Sequence, residues 1–359
     1  MKITIFIGGL YGGGAERVAC NLASYLVNNG HEVEFLTVGD NEKTYPYDDR
    51  ITRYCLLKIS ERKGNLYKLL VRIVRFLKYI VFHKCDVYIV MLPITIITLL
   101  RFSFLIKAKI IAAERSIPTD YSPKQQTLLR KLAHRADGWV FQTEEQRKWY
   151  GKSVDDCLVR VIPNAINPNF IRPIYEGERE KVILTAGRLT PQKNQLLLIE
   201  SFKSISAKYP DYNLHIYGDG VLKDALQNKI KERELSERVK ILPYCAGIAD
   251  KMRVASLFVL SSDYEGMPNA LMEAMALGVP CVSTDCRGGG ARFLIQDGVN
   301  GLLVPVQDVD ALVGAMDKML CNCSLAQIVS EKAHEICKSL APQKVYGEWA
   351  YYIQCVIDK

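Results

Sequence analysis

No Cys-x-x-Cys pair occurs in the sequence, although it carries 11 cysteines among its 359 residues. The nearest two, Cys321 and Cys323, have one residue between them and no partner pair close by, which argues against a zinc site. Scattered free cysteine suits small buried hydrophobes in a reducing cytoplasm. Also absent is any run of about 18 apolar residues, because the best candidate is studded with Arg and Lys. A membrane span is not expected. Met1 to Gly9 lacks the basic region, apolar run and small-residue cleavage site of a secretory signal and reads directly as a first strand, so no export is implied. Acid is scarce in one segment. Between Lys58 and Lys84, eight cations (Lys58, Arg62, Lys63, Lys68, Arg72, Arg75, Lys78 and Lys84) stand against Glu61 alone, which accounts for most of the chain's formal charge of +8.

What the chain does contain is a globular composition: 49% hydrophobic and 24% charged residues. Its length exceeds one comfortable core, and two domains are expected, residues 1–166 and 167–341. The link between them falls in the Pro-, Asn- and charge-rich stretch Pro163 to Glu180. The aromatic-rich helix 342–357, with Tyr346, Trp349, Tyr351 and Tyr352, is able to cap either domain, packing back on the first being one arrangement.

Both halves open with the same pattern of β-branched strand, glycine-bearing turn and amphipathic helix. In the first it is Lys2 to Ile7, Gly8 to Gly14 and Glu16 to Asn28. In the second it is Lys181 to Thr185, Gly187 to Lys193 and Gln195 to Lys208. Further strands are expected at 32–38, 86–91, 109–113, 138–142 and 158–163, then at 214–217, 239–242, 257–260, 280–284 and 301–304. Strands alternating with helices in both halves predict two doubly wound α/β domains with parallel sheets.

Three turns carry candidate chemistry. Gly12-Gly13-Gly14-Ala15-Glu16 puts small residues directly before a helix, where bare amides and the helix terminus favour an anion. The same glycines also suit an ordinary tight turn, and Gly9 to Gly14 does not supply the Gly-x-Gly-x-x-Gly of a dinucleotide site. In Gly187-Arg188-Leu189-Thr190-Pro191-Gln192-Lys193-Asn194, two cations follow a strand end, which suits a diphosphate better than idle surface charge. The stretch from Asp263 to Glu273 runs from a strand end through Gly266 and Pro268 into a helix. Glu265 then lies in the loop and Glu273 about one turn inside the helix, with amides near Asn269, Ala270 and Leu271 free for phosphate oxygens.

Glu265 to Glu273 matches the Glu-x7-Glu element, and the chain resembles retaining family 4 glycosyltransferases of the GT-B fold. The resemblance covers essentially the whole chain. It includes Gly13 to Arg17, Pro163-Asn164, Gly187-Arg188 with Lys193-Asn194, Tyr217-Gly218-Asp219-Gly220, and Asp297 to Val304, in the order expected. It implies two Rossmann-like domains facing a central cleft. Arg188 and Lys193 would neutralise the donor diphosphate beside Gly187, Glu265 would hold hydroxyls of the transferred sugar, and Glu273 the ribose. Gly13 and Gly14 would close over the phosphates, and uracil would meet backbone near Tyr244 and Cys245. No cofactor or metal is implied, and no Asp-x-Asp stands in a metal-binding context. No enzymatic nucleophile is evident, which suits same-face displacement through an oxocarbenium-like pair.

Ala113-Glu114-Arg115-Ser116 resembles the Ser-Glu-Arg-Asn and Ser-Glu-His variants of surface-polysaccharide and lipid-linked oligosaccharide transferases, where this position faces the transferred sugar. Many family members have histidine here, so that role does not carry over to Arg115, and a surface Glu–Arg pair is the alternative. Leu66, Leu69, Leu70, Ile73, Leu77 and Ile80 recur at helical spacing opposite Lys68, Arg72, Arg75 and Lys78. Such a helix suits an anionic membrane interface or a diphosphate-bearing lipid. It also suits a domain helix packed on its sheet with solvated cations. Nucleic acid is not an expected partner, since no stacking platform or recognition motif accompanies the basic segment.

The resemblance therefore implies a hexosyltransferase, peripheral on the cytoplasmic face of the cell membrane. It would move a hexose or N-acetylhexosamine, N-acetylgalactosamine among them, from a UDP-sugar to a polyprenyl-diphosphate-linked saccharide. Another lipid or soluble acceptor, and a non-catalytic sugar-nucleotide-binding protein, are the alternatives.

Overall fold

The computed structural model describes the chain apart from residues 12, 41–44, 59–63 and 246. It divides into two compact units, residues 1–164 with 343–359, and residues 165–342. The first holds seven parallel strands: β1 (Lys2–Ile7), β2 (Glu32–Thr37), β3 (Thr52–Cys55), β4 (Val87–Met91), β5 (Lys109–Ala113), β6 (Gly138–Phe141) and β7 (Leu158–Val161). Their order is β3-β2-β1-β4-β5-β6-β7. Helices cover both faces of such a sheet, so its central strands read as unbroken apolar runs, and every residue of β4 is buried. The chain leaves β1 for one edge and returns to β4 on the other side, so the order reverses between them.

The second unit repeats the plan with six parallel strands: β8 (Glu180–Ala186), β9 (Asn213–Tyr217), β10 (Val239–Leu242), β11 (Ala255–Leu260), β12 (Cys281–Thr284) and β13 (Leu302–Val304). The order β10-β9-β8-β11-β12-β13 puts its switch point between β8 and β11. Ile183, Leu198, Phe202, Ile216, Leu257, Val282 and Met316 form the core under that switch point. Losing one large side chain such as Phe202 there would cost about 3–5 kcal/mol.

Every strand expected from the sequence is present, and β3 is additional. Its four residues, Thr-Arg-Tyr-Cys, are largely half-buried at the sheet edge, where no apolar alternation is required. The last helix, Pro342–Asp358, belongs to the first unit. Trp349 is fully buried, and the Tyr352 hydroxyl donates to the carbonyls of Leu158 (2.7 Å) and Trp139 (3.2 Å).

Candidate active site

In the second unit the candidate residues stand on the loops that leave the carboxyl ends of adjacent strands. Gly187 and Arg188 follow β8, Tyr264 and Glu265 follow β11, and Arg287 follows β12. The loop after β8 is shaped by backbone pairing with the loop after β9. The Gly187 amide donates to the Tyr217 carbonyl (2.9 Å) and the Leu189 amide to the Asp219 carbonyl (2.9 Å). A Cβ on Gly218 would stand 1.9 Å from the Gly187 carbonyl oxygen, so this approach admits only glycine.

A short 3-10 turn, Pro191–Lys193, then brings Lys193 back to the strand ends. Asn194, in a left-handed conformation (φ 42°), caps the helix Gln195–Lys208 by accepting from the Leu197 amide (3.2 Å). Its side-chain Nδ2 donates to the Asp263 carboxylate (2.9 Å), while the Asp263 backbone amide donates to the Gln192 carbonyl (2.9 Å). These bonds fix the β8 loop against the β11 loop.

The result is an ion pair between Lys193 and Glu265, whose side chains are only 15% and 8% exposed. Ser262 donates to the same carboxylate oxygen (2.8 Å). An ammonium has three donors, and one goes to Glu265, so two stay available for phosphate oxygens. Arg188 is exposed, and its carbonyl accepts from Gln195 Nε2 (3.0 Å), which holds its backbone while leaving the guanidinium to solvent. The loop after β12 closes the other side. The Glu265 amide donates to the Arg287 carbonyl (2.9 Å), and Arg287 stacks over the Tyr264 ring at 5.7 Å. A Cβ on Gly290 would come within 2.1 Å of the Gly266 carbonyl oxygen.

Glu273 is buried in the second turn of the helix Asn269–Ala276. One expectation for this helix is corrected. Pro268 precedes it as the capping residue, and its carbonyl accepts from the Leu271 amide (3.1 Å) as well as from Met272, so the Leu271 amide is not free for phosphate. Asn269 and Ala270 remain half-buried at the helix start. Tyr244 is exposed beyond β10. Ser262, Gln192, Asp263 and Arg287 were not singled out as site residues. Their only sequence signal is proximity to Glu265 or Lys193 in strand-end loops, which polar loop residues commonly share.

In the first unit, Gly13 caps and Gly14 begins the helix Gly14–Asn28, while Gly12 lies outside the described residues. Glu114 and Arg115 follow β5. The surface Glu–Arg pair is corrected: Glu114 is 0% and Arg115 8% exposed. Glu114 accepts from the hydroxyls of Tyr121 and Tyr150 (2.7 Å for the latter) and from the amides of Arg115 (3.0 Å) and Ser116 (3.1 Å). Burial pushes its carboxyl above the usual range, opposed by those hydrogen bonds. The Arg115 guanidinium stacks over Trp349 at 5.0 Å and donates to Asn164 (3.3 Å), and burial lowers its pKa to about 10. It is interior, not part of the cationic surface.

The basic helix spans Asn65–Phe82, and Arg62 and Lys63 lie outside the described residues. Its packed face is Phe76, Tyr79 and Ile80, with Phe76 stacked on Phe6 at 5.6 Å. Leu66, Leu69, Leu70, Ile73 and Val74 are exposed. The helix is thus packed on its domain through Phe76, Leu77, Tyr79 and Ile80, while the apolar stripe from Leu66 to Ile73 stays largely exposed. Lys68, Arg72 and Arg75 are half-buried on the flank, and Lys78 is exposed.

Residues 12–170 match the family model for glycosyltransferase family 4, and residues 168–336 match that for glycosyl transferases group 1. An uncharacterized glycosyltransferase of Methanocaldococcus jannaschii is 30% identical over 279 residues, covering 72% of this chain and 68% of the relative. A Campylobacter jejuni enzyme is 27% identical over 361 residues, covering 97% of each chain. It is named as an alpha-1,4-N-acetyl-D-galactosaminyltransferase acting on GalNAc-alpha-(1->4)-GalNAc-alpha-(1->3)-diNAcBac-PP-undecaprenol. The solved structure of Anabaena Alr3699/HepE in complex with UDP superposes with a TM-score of 0.82 at 18% identity, over 99% of this chain and 100% of that one. The two domain matches, the two doubly wound sheets and the ordered motifs agree: this chain belongs to the family 4 glycosyltransferases of the GT-B fold.

Proposed function

We propose that the chain transfers a hexose or N-acetylhexosamine from a UDP-sugar, with retention of configuration, to a saccharide carried on polyprenyl diphosphate. The observation that carries this reading is the buried Lys193–Glu265 pair, with Arg188 on the adjoining loop and Glu273 in the following helix. A glycosidic bond to phosphate breaks with negative charge growing on the diphosphate. Arg188 and the two remaining donors of Lys193 stabilise that charge, and Glu265 accepts from sugar hydroxyls. Glu273 holds the ribose, and Asn269 and Ala270 receive phosphate oxygens at the helix start. The acceptor hydroxyl attacks from the face the diphosphate is leaving, and its proton passes to the leaving phosphate oxygen. Glu114, with its oxygens already engaged by four donors, acts as a positioning residue for the turn at Arg115 and Ser116.

The acceptor class is supported by the Campylobacter relative, which is named for a diphospho-undecaprenol saccharide substrate. The exposed apolar stripe of the helix Asn65–Phe82, flanked by Lys68, Arg72, Arg75 and Lys78, supports docking on the anionic cytoplasmic face of the cell membrane. No helix among the described residues is long and apolar enough to cross a membrane.

The test is release of free nucleotide from a panel of UDP- and GDP-sugars, with and without a polyprenyl-diphosphate saccharide, in buffer with and without EDTA. One UDP-sugar should be consumed, faster with the lipid acceptor and equally in EDTA. Consumption of a GDP-sugar alone, or no response to the lipid, would overturn the donor or the acceptor assignment respectively. Activity lost in EDTA and restored by magnesium would overturn the metal-independent mechanism.

A further inference from the structure

The membrane-facing surface proposed above has a continuation that the basic helix does not include. Among the described residues, 11 of the 21 exposed large apolar side chains lie between Leu66 and Leu105, so apolar exposure is concentrated in a single segment. The same segment is poor in acid: from Asn65 to Ala113 only Asp86 opposes eight cations. Soluble surfaces rarely concentrate exposed apolar side chains and a one-sign charge excess in one segment unless something covers them.

Beneath this surface a run of ring contacts links the packed face of the basic helix to the turn that follows the helix Pro93–Arg101. Phe76 of the basic helix contacts Phe102 edge-on at 5.7 Å, and Phe102 lies 6.5 Å from Phe104. Phe104 is 76% exposed and stands with Leu105 on a short 3-10 turn between the helix Pro93–Arg101 and β5. Beside it opens a cavity of about 460 Å³, lined by Ser103, Phe104, Lys107, Lys109, Arg135 and Asp137 among others. Asp137 is the acid of that group, and its carboxylate is already engaged by Lys109 (3.3 Å) and the Ile110 amide (2.8 Å). Among the described residues Lys107 and Arg135 are exposed cations without an ion pair, Arg135 donating only to the Leu100 carbonyl (3.4 Å), at the mouth of a cavity whose rim carries an exposed aromatic ring.

We propose that this cavity holds the phosphate-bearing headgroup of an anionic phospholipid, with Phe104 and Leu105 entering the acyl boundary beside it. The inference rests on the membrane reading and extends it from one helix to a second contact. A phosphodiester brings a negative charge shared by two non-bridging oxygens, one for Lys107 and one for Arg135, and its glyceride chains continue into the apolar layer that Phe104 would reach. A free phosphate ion would use the cations and leave Phe104 and Leu105 in water.

Cosedimentation of the full chain with phosphatidylglycerol/phosphatidylcholine vesicles and with phosphatidylcholine vesicles separates these contacts. Lys107→Glu should weaken binding to the anionic vesicles about tenfold and leave binding to phosphatidylcholine unchanged. Phe104→Ser should weaken binding to both. Both residues are exposed and belong to the first unit, whereas the donor loops belong to the second, so nucleotide release in detergent should be unchanged. Inorganic phosphate should compete no better than an equal ionic strength of chloride. The headgroup site is overturned if both variants bind like the parent while Leu69→Ser/Leu70→Ser does not, an outcome that keeps the helix as the membrane contact. If the parent protein itself ignores anionic vesicles, the site and the membrane reading both fail.

Discussion

Lys193 stands among atoms that leave it little freedom: the turn Pro191–Lys193 sets its backbone, and Glu265 takes one donor. Replacing it with alanine removes charge that matters most as the diphosphate leaves. Lys193→Ala should therefore lower turnover about 10²- to 10³-fold, read as nucleotide release at saturating donor. Near-parental turnover would remove Lys193 from the chemistry. Glu114 makes a different kind of prediction. Burial holds its folded-state pKa above the ordinary value of 4.5, so the folded chain binds that proton more tightly than the unfolded chain. The stabilisation is full below that ordinary value and is lost as pH rises toward the raised one. Glu114→Gln keeps the shape and cannot ionise, so its melting temperature should fall less than the parent's as pH rises from about 4.5 to neutrality. A parallel fall in both proteins would contradict the assignment. The placement of Lys193, Glu265 and Glu273 beside the β8 and β11 strand ends was legible because the strand, glycine turn and helix pattern fixes where those residues fall. Burial of Glu114 and Arg115 was not, since a Glu-Arg dipeptide after a strand carries no mark of which tyrosines or which tryptophan will enclose it.

Glycines show how whole loops are fitted together. The loop after β9 fits the loop after β8 at Gly218, and the loop after β12 fits the loop after β11 at Gly290, each with a carbonyl oxygen where a Cβ would stand. A methyl group at Gly290 must push the Gly266 carbonyl away, and Glu265 is adjacent to Gly266. Gly290→Ala should cost about 1–3 kcal/mol of stability and raise the KM for donor more than it lowers kcat. Thermal melting with donor kinetics checks this, and a stable variant with unchanged KM would mean that the β12 loop does not shape the donor side. Strand positions were readable because buried parallel strands are written as β-branched apolar runs between turn signals, as in Val87–Met91. Thr52–Cys55 escaped because an edge strand needs pairing on one side only and carries no such run. The basic helix was readable as amphipathic, but not which face would pack. Phe76 settles that by stacking on Phe6 and Tyr79 by packing at a tilt against Tyr54, contacts set by tertiary position.

At the scale of the molecule, the chain enters the second unit after Asn164 and returns to the first at Gln343, so the first unit is closed by its own carboxy-terminal helix. Trp349, Tyr352, Ile353 and Val356 of that helix are buried, and Trp349 lies under the Arg115 guanidinium. The sequence showed an aromatic-rich helix without its destination, because apolar periodicity says that a face is buried and not against what. Trp349→Ala would open a large cavity and remove the ring over which a buried cation rests, at a cost of about 3–5 kcal/mol to the first unit. The donor loops belong to residues 165–342, whose core contains none of these side chains. The variant should therefore melt well below the parent yet bind UDP with parental affinity in calorimetry at a temperature where both are folded. If UDP affinity fell together with stability, the nucleotide site would have to draw on the first unit as well, and the assignment of the donor cradle to the loops after β8, β11 and β12 would need those residues added.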